Sequence, residues 1–229
     1  MGIAENLAAV SHRIHRAAER AGRSPEEVTL IAVAKTFPVE TVREALHAGV
    51  RHVGENRVQE AVPKAAALAG DPLRPVWHMV GHLQTNKAKT AVQTFDIIHS
   101  VDSLRLARAI SRHADRPVPV LLEVNVAGEA TKFGVAPEEA GRLAREIERL
   151  PGLELRGLMT VAPPAADPEE VRPVFRRLRE LRDALGLREL SMGMTDDFEV
   201  AIEEGATMVR IGRAIFGERP PGGAAAEGR

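Results

Sequence analysis

Short runs of Val, Ile, Leu and Met alternate with longer stretches whose apolar residues recur at helical spacing, from residue 28 to residue 211. The strand-like runs are 28–35, 52–55, 76–80, 97–101, 118–126, 153–161, 189–192 and 208–211. Between them lie helix-patterned stretches at 39–48, 57–68, 86–94, 104–113, 137–150, 169–185 and 197–204, several closed by a glycine such as Gly49, Gly186 or Gly205. A chain that alternates in this way builds a mainly parallel sheet, because each helix carries it back to start the next strand in the same direction.

Eight strands and seven intervening helices in 229 residues fit a single-domain (β/α)8 TIM barrel of the α/β class. Residues 1–21 add an amphipathic helix in front, with Ile3, Leu7, Val10, Ile14 and Ala18 on one stripe. A doubly wound open sheet is the alternative architecture. No G-x-G-x-x-G follows any strand, whereas glycine turns follow the last two, where barrels often bind phosphate, and this favours the barrel. The domain is expected to span 1–217, and the Pro, Gly and Ala-rich stretch 218–229 to be a disordered tail.

Composition removes several function classes. There is no cysteine, hence no disulfide, thiolate metal site or cysteine nucleophile. The histidines show no metal-ligand spacing joined to carboxylates, so no metal is expected. A net charge of -1 gives no bulk attraction to nucleic acid, no segment is apolar enough to span a membrane, and the first helix lacks a signal peptide's apolar core. A cytoplasmic monomer is the expectation. Tyrosine is absent, and lysine occurs only at 35, 64, 87, 89 and 132.

One of those lysines is out of place. In the run from Thr29 to Thr36, alternation puts Lys35 on the same side as Ile31 and Val33, at the C-terminal rim of the barrel interior. An amine desolvated there is shifted towards its neutral form and becomes a nucleophile for carbonyls. A lysine at a strand end can instead simply reach solvent.

Two other segments bear on that choice. Ser191-Met192-Gly193-Met194-Thr195-Asp196-Asp197 runs from strand seven through a glycine turn into a helix. The first amides of that helix, with the Thr195 hydroxyl, suit an anion, though Asp196 with Glu199 also fits an ordinary capping box. In Met208 to Ala214, Arg210 lies on strand eight and Gly212 allows close backbone approach to a ligand. An interior arginine keeps its charge and needs a structural carboxylate or a ligand to satisfy it. A reactive lysine beside a phosphate pocket is what pyridoxal phosphate requires.

The runs Ala32-Val33-Ala34-Lys35-Thr36, Gly54-Glu55-Asn56 with Gln59-Glu60, and Trp77-His78 leading to Gly81-His82-Leu83-Gln84 with Asn86-Lys87 appear in order. Lys132-Phe133-Gly134, Gly157-Leu158-Met159, Gly193 to Asp197 and Val209-Arg210-Ile211-Gly212 follow. Together they resemble the pyridoxal phosphate homeostasis protein family, single-domain relatives of the alanine racemase N-terminal barrel (fold type III pyridoxal phosphate proteins). The resemblance covers nearly the whole chain. It implies that Lys35 holds pyridoxal 5'-phosphate as a Schiff base and that Arg210 faces the pyridine nitrogen. Met194, Thr195, Gly212 and Arg213 would surround the phosphate, with Asn56 near the ring and His78 also at the cofactor. The family usually has Ser at Thr195, Thr or Ser at Arg213, and often a second lysine where this chain has Phe37.

The expected role is reversible holding of pyridoxal phosphate and its buffering or delivery to apo forms of the enzymes that use it, without strong turnover. A permanently cationic Arg210 leaves the pyridine nitrogen unprotonated, and no tyrosine is available as a second base, although His78 or His82 offers an imidazole. Lys87 and Lys132 are candidates for the rim of the site. The rivals are a pyridoxal phosphate-dependent amino acid racemase or decarboxylase, a cofactor-free Schiff-base aldolase, and a scaffold in which Lys35 is incidental.

Overall fold

The computed structural model describes residues 2–218. Eight parallel strands close into a barrel in sequential order: β1 (Thr29–Val33), β2 (His52–Glu55), β3 (Val76–Met79), β4 (Ile97–Val101), β5 (Val118–Glu123), β6 (Leu153–Met159), β7 (Glu189–Ser191) and β8 (Met208–Ile211). The ring closes where β8 pairs with β1, Arg210 opposite Ile31. The fold is therefore the (β/α)8 barrel, and the open sheet is excluded. The expected tail at 218–229 lies, apart from Glu218, outside the described residues.

The helices form the outer layer: α1 (Ile3–Arg20), α2 (Val39–His47), α3 (Val58–Ala67), α4 (Ala88–Thr94), α5 (Leu104–His113), α6 (Pro137–Glu148), α7 (Arg172–Ala184), α8 (Phe198–Glu203) and α9 (Arg213–Phe216). The main core lies between helices and strands, where outward-facing strand residues such as Val53, Trp77, Ile98 and Leu122 meet the buried stripes of the helices. Helix α1 buries Leu7, Val10, Ile14, Ala17 and Ala18, the i, i+3, i+4 spacing expected of one apolar face. It lies on α8 and α9, where Arg13 bonds Glu199 at 2.9 Å, Arg20 bonds Glu203 at 2.7 Å and the Asn6 amide donates to the Ile215 carbonyl at 3.0 Å. The added helix thus braces the elements that follow β7 and β8.

Inside the barrel the apolar filling is small: Ile31, Leu121, Met159 and Met208 form a separate cluster. The remaining interior is polar. His52, His78, His99, Ser191 and Arg210 point inward from β2, β3, β4, β7 and β8, and all but His52 are buried.

Candidate functional site

Strand β1 leaves the ladder at Val33, two residues before Lys35. The chain then turns at Thr36, which has φ 68°, a left-handed conformation uncommon for a β-branched residue. Two side chains from α3 hold that turn by its backbone. Glu60 accepts from the Thr36 amide at 2.9 Å, and the Lys64 ammonium donates to the Ala34 carbonyl at 2.9 Å. Lys64 also meets the fully buried Glu55 carboxylate at 2.6 Å, so the turn is anchored to β2 through an ion pair. Burial pushes the Glu55 carboxyl up to about 7, and Lys64 opposes that push. This grip fixes where Lys35 leaves the barrel wall.

Arg210 approaches from β8. One guanidinium nitrogen donates to Ser191 Oγ at 2.7 Å and another to the Thr160 carbonyl at 2.8 Å. Neither partner is a carboxylate. Burial pulls the guanidinium down to about 10, with Asp197 and Glu123 countering, which leaves it cationic at neutral pH. Behind Ser191 stands a column of imidazoles. His99 Nδ1 lies 2.9 Å from Ser191 Oγ, His78 Nδ1 lies 2.8 Å from His99 Nε2, and His52 Nδ1 lies 3.0 Å from His78 Nε2. Burial holds all three below the usual histidine range, His78 at about 3. Neutral imidazoles each carry one donor and one acceptor, so the column satisfies itself and supports Arg210 without neutralising it.

The turn after β7 is shaped by Gly193, with φ 92° and a Cβ position only 2.6 Å from the Ala201 Cβ, which any side chain would violate. Asp197 closes this turn by accepting from the Met194 amide at 2.6 Å. The alternative reading, an Asp196 capping box, does not form. Asp196 instead takes Arg213 through both oxygens, at 2.6 and 2.8 Å, which ties the β7 turn to the start of α9. On the opposite side, Gly81 lets the chain after β3 lie against Asn56: a Cβ there would sit 2.4 Å from the Asn56 carbonyl oxygen.

These pieces surround one cavity of ≈ 810 Å³ at the C-terminal mouth of the barrel, within the range of small-molecule sites. Lys35, Asn56, Met194, Thr195, Arg210, Gly212 and Arg213 all line it, as does Lys132 on the rim. Two of the expected residues stand apart from this wall. His78 is not among the lining residues, because its ring is sealed beneath the mouth in the imidazole column. Lys87, the last residue of the turn from Thr85, is likewise not among the lining residues.

Several wall residues were not singled out for the site, among them Phe133, Asn125 and Glu123. Phe133 stacks on His82 with ring centroids 3.8 Å apart, and His82 Nδ1 lies 3.4 Å from Asp102 Oδ2. Asn125 stands just past β5, and its amide donates to the Glu129 carbonyl at 2.8 Å. Glu123, the last residue of β5, is buried, and burial together with repulsion from Asp102 raises its carboxyl to about 7. The signal for Glu123 was present: it ends an apolar strand on the side of Leu121, as Lys35 follows β1 on the side of Ile31.

Comparison with known proteins finds a match between residues 6–220 and the family described as alanine racemase, N-terminal domain. The chain is similar to the pyridoxal phosphate homeostasis protein of Pseudomonas aeruginosa, 50% identical over 225 residues, covering 96% of this chain and 97% of that one. It is 48% identical over 228 residues to the protein of the same name from Aquifex aeolicus, covering 96% and 99%. Among solved structures it is similar to PipY of Synechococcus elongatus with PLP bound, at a TM-score of 0.81 and 39% identity, over 94% of this chain and all of that one. Alanine racemase of Clostridium difficile shares the fold at a TM-score of 0.71 and 16% identity, with 97% of this chain matching 58% of that longer one.

Proposed function

Because the chain belongs to the alanine racemase N-terminal domain family, we propose that it binds pyridoxal 5'-phosphate reversibly at the barrel mouth and serves intracellular pyridoxal phosphate homeostasis, by buffering or delivery. The observation that carries this reading is the convergence of Lys35, Arg210 and the turns at Thr195 and Gly212 on one cavity. That donor set suits the cofactor. Lys35 supplies an amine for a Schiff base with its aldehyde, and Arg210 a cation for its ring nitrogen. Thr195, Gly212 and the first amides of α9 offer hydrogen-bond donors to its phosphate. Arg213 is already engaged by Asp196, so its contribution to the phosphate is through its backbone.

When bound, the cofactor supplies a carbonyl carbon that condenses with amines. The protein's own residues hold and orient. Lys64 and Glu60 fix the turn that aims Lys35, while the neutral imidazole column and Ser191 leave the Arg210 charge undiminished. An undiminished cation beside the ring nitrogen disfavours its protonation and weakens the electron withdrawal that racemisation needs. The absence of tyrosine points the same way. Among the described residues no helix is long and apolar enough to cross a membrane. The proposal also takes the cytoplasm as its location and enzymes lacking their cofactor as its recipients.

The test is titration of cofactor-stripped protein with pyridoxal phosphate, followed by visible absorption, together with optical rotation of L-alanine at protein levels far below substrate. Uptake of about one cofactor per chain with unchanged rotation is expected. Absence of uptake, or robust loss of rotation, contradicts the proposal.

A further inference from the structure

Glu123 has no part in holding a phosphorylated aldehyde, yet it faces the same cavity as Lys35. Its residue is 7% exposed, and Oε2 is buried without a hydrogen-bond partner. A buried acceptor left in that state is costly unless something donates to it. Asp196, also on the wall, is already bonded to Arg213 through both oxygens. Glu123 is different: Arg210 attracts it from across the interior, and Asp102 repels it from the neighbouring strand end. The negative charge of Glu123 and Asp102 on that side of the mouth favours a small cation that carries donors.

Lys35 supplies the second half of the argument. A carbonyl held by a lysine amine is released to another amine by exchange of one nitrogen for another, and an amine arrives at neutral pH as an ammonium that must lose a proton before it can attack. We propose that Glu123 receives the ammonium of an incoming primary amine and carries its proton to Lys35. The Glu123 carboxylate takes one proton, so an N–H bond breaks and an O–H bond forms. The freed amine would add to the carbon joined to Lys35 Nζ through a protonated linkage, a second proton would pass from the entering nitrogen to Nζ, the carbon–Nζ bond would break, and the proton Glu123 held would complete the ammonium on Lys35. One ammonium enters and one remains, on Lys35, so charge and atoms balance. The cofactor's taker is thus a primary amine, either a free amino acid or a lysine on an acceptor protein.

This inference rests on the cofactor-holding reading, and two measurements separate their failures. In cofactor-free protein carrying carbon-13 glutamate, the carboxyl resonance that Glu123→Gln removes is followed as ethylamine hydrochloride is added, with sodium chloride as control. A shift with ethylamine alone is expected; no shift overturns the ammonium site. In loaded protein, the rate at which glycine or Nα-acetyl-lysine amide strips the bound chromophore is compared for wild type, Glu123→Gln and Glu123→Asp. Glu123→Gln slows stripping on the order of 10²-fold or more, with unchanged release into amine-free buffer, and Glu123→Asp restores part of it. The amine that shows this dependence identifies the taker. Equal stripping of loaded wild type and Glu123→Gln by both amines overturns the proposal. Should no variant take up cofactor, the functional reading fails and the resonance still decides the ammonium site.

Discussion

Replacing Lys64 with methionine lowers the stability of the protein by about 3–5 kcal/mol, the cost typical of breaking a buried pair from one side. The Lys64 ammonium is the donor to both Glu55 Oε1, at 2.6 Å, and the Ala34 carbonyl, at 2.9 Å. The second Glu55 oxygen is already buried without a partner, so the variant leaves a fully buried carboxyl with neither oxygen paired. Guanidinium chloride unfolding reads the loss as a lower midpoint at unchanged slope. Adding Glu55→Leu to Lys64→Met recovers much of that loss, because apolar residues of similar volume replace a buried ion pair at little cost. The double variant still lacks the donor to the Ala34 carbonyl, one residue before Lys35, so it folds but retains pyridoxal phosphate less well. A Lys64→Met protein as stable as wild type would show that the pair does not anchor this turn.

Lys35→Ala has the largest effect on function. Lys35 lies beyond the last residue of β1, half-buried at the mouth, and truncating it removes no strand pairing. Circular dichroism of the variant therefore matches wild type. On the proposed assignment the variant loses the covalent hold on the cofactor and keeps only the contact from Arg210 and the turns at Thr195 and Gly212. Wild-type protein keeps its visible band through gel filtration, whereas the variant loses it. A variant that keeps the band would assign the linkage to another amine, and one that fails to fold would make Lys35 structural.

The architecture was legible because each strand and helix announces itself locally. All eight strands and the seven expected helices lie where the periodicity puts them, and Ile97–Val101 and Leu104–His113 match at both ends. The errors share one cause. The runs at 28–35, 118–126 and 153–161 extend two or three residues past the ladders of β1, β5 and β6. Val124 and Val161 in those extensions are apolar because they line the cavity, and an apolar residue reads alike whether it sits in a ladder or in a wall.

What could not be read is what depends on register between distant strands. His52, His78 and His99 are separated by 26 and 21 residues, and only the pairing of β2, β3 and β4 brings their rings into one column. That column places the His78 ring between His52 and His99, behind the Ser191 hydroxyl that Arg210 meets. Arg210 itself was expected to need a carboxylate or a ligand. Its bonds within the protein go to a hydroxyl and a backbone carbonyl, whose positions no local pattern encodes. Glu55 was noticed only as part of a motif and Lys64 only in the count of lysines, since they meet through the packing of α3 on β2.

The most direct test of the central claim is borohydride reduction of the purified protein loaded with pyridoxal phosphate, followed by peptide mass analysis. A visible band that bleaches on reduction, with one pyridoxyl adduct on the peptide containing Lys35, is the predicted result. An adduct confined to another lysine, such as Lys64 or Lys132, or a protein that gains neither colour nor adduct, would contradict it.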